Sequence, residues 1–139
     1  FSLPVVLLGC CVMADIGECM AVGAAVAQAA KESGKRIVFL ASTALSHRLV
    51  RGPDRWPSDN EQKQDQTFIN LLCSGKVEQA QRQFSDYARA VTAEMGGRNL
   101  ATFLGTLDND TQYHGRQYGT YGQSSGSGNV SILLTESTE

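Results

Sequence analysis

Two uninterrupted apolar runs, residues 3–12 and 36–41, with one helix-length stretch between them, constrain this chain more than any other feature. A half-buried strand alternates apolar and polar residues, whereas a strand covered on both faces, as in a parallel sheet, reads as a continuous apolar run. Asp15 supplies an N-cap, residues 16–33 are Ala-rich, and Gly34 is a stop signal. Strand, helix and strand make a βαβ unit with a right-handed crossover. The expected fold class is therefore α/β, a layered α/β/α domain with a mainly parallel central sheet.

The remainder reads as further helices and a last strand. Residues 51–57 (Arg-Gly-Pro-Asp-Arg-Trp-Pro) form a turn-rich loop, and Ser58-Asp-Asn-Glu61 is a capping box opening a helix that carries Phe68, Leu71 and Leu72 inward. Ser74-Gly75 breaks it. Residues 76–83 and 85–95 follow as two helical stretches, and Gly96-Gly97 ends the second. Residues 99–107 give a short helix, residues 113–121 interleave glycine with aromatics, residues 122–128 form a Gly/Ser loop, and residues 130–135 a final strand.

A chain of 139 residues, 42% hydrophobic and 19% charged, is expected to form one globular domain over residues 1–139. A net charge of −2 with scattered Lys and Arg speaks against nucleic-acid binding. The first apolar run lacks the basic residues of a secretory signal and is too short to span a bilayer, so no membrane partner is expected. Cys10 and Cys11 would face opposite sides of a strand, and the four cysteines read as buried, inert thiols of a cytoplasmic protein. The chain opens at Phe1 on an apparent central strand, which suggests the carboxyl-terminal portion of a larger subunit.

The second apolar run leads through Ser42-Thr-Ala-Leu45-Ser46 to His47, the first of only two histidines. Ligands of open α/β sheets sit outside the carboxyl ends of the strands, so an imidazole there faces a crevice. Histidine also gives and takes a proton near neutrality. Two roles stand open for His47: acid/base, or a strand-end cap bonded to a neighbouring loop.

Other chemistries are poorly served. Gly122-Gln-Ser-Ser-Gly126 fits the spacing of a nucleophile elbow, but a strand follows it and both histidines precede it, the reverse of what that motif requires. The same loop lacks the Lys-Ser/Thr of a phosphate cradle. An iron triad of two histidines and a carboxylate would consume both His47 and His114, leaving no base.

Taken in order, the segment Leu45-Ser46-His47-Arg48, the capped helix with Phe68-Ile-Asn-Leu-Leu72, Ser74-Gly-Lys-Val77, Gly96-Gly97-Arg98, Leu104-Gly-Thr-Leu107 and Gly119-Thr-Tyr121 before a Gly-Ser-Gly turn resemble the carboxyl-terminal half of class III extradiol dioxygenases. The resemblance implies a non-haem Fe(II) enzyme that opens the ring of a catechol or aminophenol with O2. It implies His47 as the acid/base, iron-ligand histidines in the amino-terminal half of the subunit, and a ligand Glu in the last strand. That Glu should fall near Leu133, which has no metal-binding atom; Glu136 is the alternative metal ligand, three positions on. Ala14 also stands where related aminophenol enzymes carry a pocket histidine. These departures resemble the iron-free partner chain of heteromeric aminophenol dioxygenases, with Fe(II) held in a homologous catalytic subunit and an aromatic small molecule as substrate. A catalytic chain using Glu136, and a non-enzymatic binding or assembly module, are the alternatives.

Overall fold

Residues 3–50, 52 and 54–137 are described by a computed structural model of mixed helix and strand. Helix α1 (Ile16–Ser33) opens on a reciprocal capping box: Asp15 Oδ1 accepts the Glu18 N–H at 2.7 Å, and Glu18 Oε2 accepts the Asp15 N–H at 2.8 Å. Gly34, left-handed at φ 64°, ends it. Helix α2 (Asp59–Cys73) starts at the Ser58/Glu61 box, and α3 (Val77–Ala90), a short 3-10 turn (Glu94–Gly97) and α4 (Arg98–Gly105) follow. Strands β1 (Tyr113–Ser124) and β2 (Ser127–Glu136) form an antiparallel hairpin with an irregularity between Tyr118 and Gly122.

The core lies where α2, α3 and α4 meet the hairpin. Phe68 of α2 stacks on Tyr87 of α3 with centroids 4.4 Å apart, and Phe84, Leu100 and Leu104 close around them. Ile132 and Leu134 of β2 lean on this cluster, so β2 carries its apolar set on one face. Helix α1 packs on α4 through two glycines. A Cβ on Gly105 would lie 2.7 Å from the Met20 Cα, and one on Gly23 would lie 2.9 Å from the Gly105 Cα. The backbones touch because neither residue has a side chain.

Two expectations need correction, and a third is met only in part. The parallel pairing of residues 3–12 with 36–41 is not seen among the described residues: neither run carries strand hydrogen bonds, the first ends in a turn at Val12, and Val6 and Val38 are 93% and 86% exposed. A strand of that apolar type needs bonded neighbours on its edges and a covering layer on each face. Helix α1 covers neither run well enough to bury it. The sheet that does form is antiparallel. Residues 76–83 and 85–95 are not two helices: α3 runs unbroken past Ser85, because a single serine does not interrupt a helix whose Ala80, Phe84, Tyr87 and Ala88 keep one buried face. Helical structure then stops at Ala90, and Thr92 and Met95 take positive φ values of 50° and 51°. The thiols are free, but only Cys19 is buried, and Cys11 is exposed.

Candidate functional site

The turn of the hairpin and the turn after α3 close on the segment that ends in His47. Leu45 N–H donates to the Gly128 carbonyl and Gly128 N–H donates to the Ser46 carbonyl, each at 2.9 Å. From the other side the Glu94 carboxylate accepts the Ala44 N–H, and the Glu94 N–H donates to the Leu45 carbonyl at 3.2 Å. Clamped this way, Ala44, Leu45 and Ser46 are buried while His47 emerges half-buried. Its Nδ1 lies 2.9 Å from the Oγ of Ser127, itself 4% exposed. Nδ1 is thereby engaged and the ring is held by its first nitrogen.

A hydroxyl is a useful partner for an imidazole that must change protonation. It donates to a bare Nδ1 and accepts from a protonated one, so the 2.9 Å contact survives either state. Nε2 can then gain or lose a proton without the ring being released.

Beneath this segment sits Asp65 of α2, fully buried. Its Oδ1 accepts the Tyr87 hydroxyl at 2.7 Å; its Oδ2 accepts the Tyr121 hydroxyl at 2.6 Å and the Ser46 hydroxyl at 2.7 Å. The Ser46 N–H approaches both oxygens at 3.3 and 3.4 Å. Every neighbour donates, which suits a group that only accepts. Burial first, and then the Asp65 carboxylate, push the Tyr87 and Tyr121 phenols well above the ordinary tyrosine range, so both stay protonated donors at physiological pH.

One turn earlier on α2, Glu61 faces the same corner. Burial raises the proton affinity of its carboxyl, but bonds from the Ser58 hydroxyl and N–H and the charge of Arg48 outweigh that and hold it below the ordinary value. Arg48 Nε lies 3.2 Å from Oε1 without an aligned N–H, so this oxygen is held by charge alone. Trp56, half-exposed, leans on Tyr121 with centroids 6.2 Å apart.

Other residues singled out from sequence are not gathered here. His47 bridges Ser127 at the turn end of β2, whereas His114 pairs with Thr135 and Glu136 pairs with Tyr113 at the far end. At about 3.3 Å per residue, the two ends of β2 are roughly 30 Å apart. Leu133 lies opposite Arg116 and is half-exposed, on the face of β2 away from Ile132 and Leu134. Among the described residues no three His, Cys, Asp or Glu side chains gather as a metal site. The Fe(II) implied by the resemblance therefore does not fit the described residues alone: the two imidazoles stand at opposite ends of one hairpin. Ser124 closes β1 and is followed by the turn into β2, which is not the strand-to-helix corner of a nucleophile elbow.

Asp65 and Ser127 were not legible as site residues, although a signal existed. Glu61 and Asp65 fall at helical spacing with Phe68, Ile69 and Leu72, and acidic residues on an apolar stripe call for buried partners. Ser127 carried no such mark in its Gly/Ser loop.

The family model described as the catalytic LigB subunit of aromatic ring-opening dioxygenase matches residues 2–132. A MEMO1 family protein of Methanococcoides burtonii is 35% identical over 84 residues, which is 60% of this chain and 28% of that protein. The matched part of the chain thus spans less than a third of the length of that relative.

Proposed function

The chain belongs to the LigB family of aromatic ring-opening dioxygenase subunits, and from that premise we propose that it contributes an oriented acid/base histidine to ring cleavage while supplying no iron ligand. The observation that carries the reading is the His47–Ser127 contact at 2.9 Å, which holds Nδ1 and leaves Nε2 to exchange protons. In this reading Nε2 takes the proton of a ring hydroxyl on a catechol or aminophenol as the substrate is activated, and returns a proton later in turnover. Fe(II) is held by side chains outside residues 3–137, in a homologous catalytic subunit or in another part of the same protein. The parallel layer belongs to the same reading: residues 3–12 and 36–41 become neighbouring strands of a larger, mainly parallel sheet, which would cover the apolar side chains they now expose.

A second reading has its own observation. Leu133 stands where the resemblance puts a ligand carboxylate, which favours an iron-free partner chain whose histidine is idle. A non-enzymatic assembly role, as for a module that keeps the fold without the chemistry, is the third.

The test is iron content and ring-opening turnover of the complete natural protein, alone and with any co-purifying homologue, for wild type and His47→Ala. Acid/base catalysis predicts a fall in kcat of about 10²–10⁴-fold with iron retained. A change within about threefold at full iron occupancy would instead establish the idle partner chain, since only modest stability effects then remain. Absence of turnover in every combination would leave the assembly role.

A further inference from the structure

We infer that Asp65 is the positioning residue of His47, acting through Ser46; the inference rests on the acid/base reading of His47. Ser46 is fully buried and fixed at three atoms. Its N–H and Oγ go to Asp65, and its carbonyl oxygen accepts the Gly128 N–H. The next peptide is that of His47, so its starting point and direction are set before its side chain begins. The imidazole then reaches Ser127, one residue before the same Gly128, and the ring and its main chain are anchored to one hairpin turn.

The construction of the cluster argues for this role over plain stability. None of the ion pairs among the described residues involves Asp65, so its carboxylate is held by neutral donors only. A buried charge without a cation is a costly way to fill a core, and an apolar residue among Phe68, Ile69 and Tyr87 would pack the same space. What an apolar residue could not do is bind the main chain and hydroxyl of residue 46. Tyr87 and Tyr121 satisfy the remaining acceptor capacity of Asp65 from α3 and β1. The two phenols therefore support the carboxylate, and the carboxylate aims the histidine.

The experiment uses the complete protein labelled with 15N-histidine, with the exposed His114 as internal reference. In wild type the His47 Nδ1 resonance should carry the signature of a hydrogen-bonded nitrogen. In Asp65→Asn one acceptor oxygen becomes an N–H2 that faces a donor, so the side chain no longer accepts from Ser46 N–H and Oγ with both oxygens, and the His47 signals should move toward the mixed tautomers of a free imidazole. kcat should fall about 10²-fold with KM within twofold, the size expected from a small misplacement of a reacting group. Tyr87→Phe removes one phenol and leaves both Ser46 contacts, so it should lower the melting temperature without moving Nδ1. Where Asp65→Asn does not fold, Ser46→Ala gives the same readout, with a displaced Nδ1 signal expected. A folded Asp65→Asn or Ser46→Ala with the wild-type Nδ1 resonance would overturn the inference. The resonance does not depend on turnover: if His47→Ala proves harmless, the acid/base reading falls and the Nδ1 result still decides the positioning role.

Discussion

Gly128 is the residue on which the site's geometry turns. A Cβ there would lie 2.7 Å from the Ser46 Oγ and closer still to the Tyr121 hydroxyl and Asp65 Oδ2. None of the three can easily retreat, because the Ser46 and Tyr121 hydroxyls both donate to Asp65 Oδ2, at 2.7 and 2.6 Å. Gly128→Ala is therefore expected to destabilise by about 1–3 kcal/mol, the usual result of overpacking a filled site, and urea unfolding will show it as a lowered midpoint with an unchanged slope. A variant as stable as wild type would mean that the cluster yields more than its bonds suggest. Ser127→Ala is a different case. It creates no clash and removes only the hydroxyl partner of Nδ1, so it should leave stability within about 1 kcal/mol and lower kcat of the complete enzyme. His47 stood out in the sequence as a candidate site residue because its chemistry is visible in one letter. Its partners did not, because serine, tyrosine and aspartate acquire their roles only when distant segments meet.

Helix starts and the last strand were legible, whereas strand pairing and the end of α3 were not, and the physics separates them. The caps of α1 and α2 are local: Asp15 with Glu18, and Ser58 with Glu61, decide where each helix starts within a single turn of chain. Strand pairing is non-local, and an apolar run says only that it wants covering, not by what. Residues 3–12 and 36–41 are the clearest instance, since their side chains are apolar enough for a buried strand while their backbone has no ladder. In the complete protein, amide exchange at residues 37–40 is expected to be slow if the proposed parallel layer forms. Fast exchange there under native conditions would remove the parallel sheet from the reading. The crossing of α1 and α4 gives a prediction at the same scale. Replacing Gly105 by Val would force the helices apart at Met20 and should cost more than the same change at Gly9, where a Cβ meets nothing within 4 Å. Comparative thermal melts of the two variants decide it.

For the molecule as a whole, the buried titratable groups set a window of pH in which the fold is most stable. The slope of stability with pH follows the difference in bound protons between unfolded and folded chains. Glu61 is held below its ordinary value in the fold, by Ser58 and Arg48 against its own burial, so its contribution is present above the unfolded carboxylate value of about 4.3 and is lost as pH falls through the folded one. Asp108, lowered by the Asp110 N–H and by Lys31, acts in the same direction but is exposed and adds little. At the other end the Tyr87 and Tyr121 phenols are raised by burial and by Asp65. The unfolded chain releases those protons above about pH 10 while the folded chain keeps them, so their contribution is complete below that pH and declines above it. Cys19, raised by burial, enters the decline somewhat earlier. Urea midpoints measured from pH 3 to 11 should therefore fall at both ends, with Glu61→Gln flattening the acid limb alone and Tyr87→Phe the alkaline limb alone. An alkaline limb that Tyr87→Phe leaves unchanged would show that the Asp65 cluster opens before its phenols ionise, and would take away the rigidity on which an oriented His47 depends.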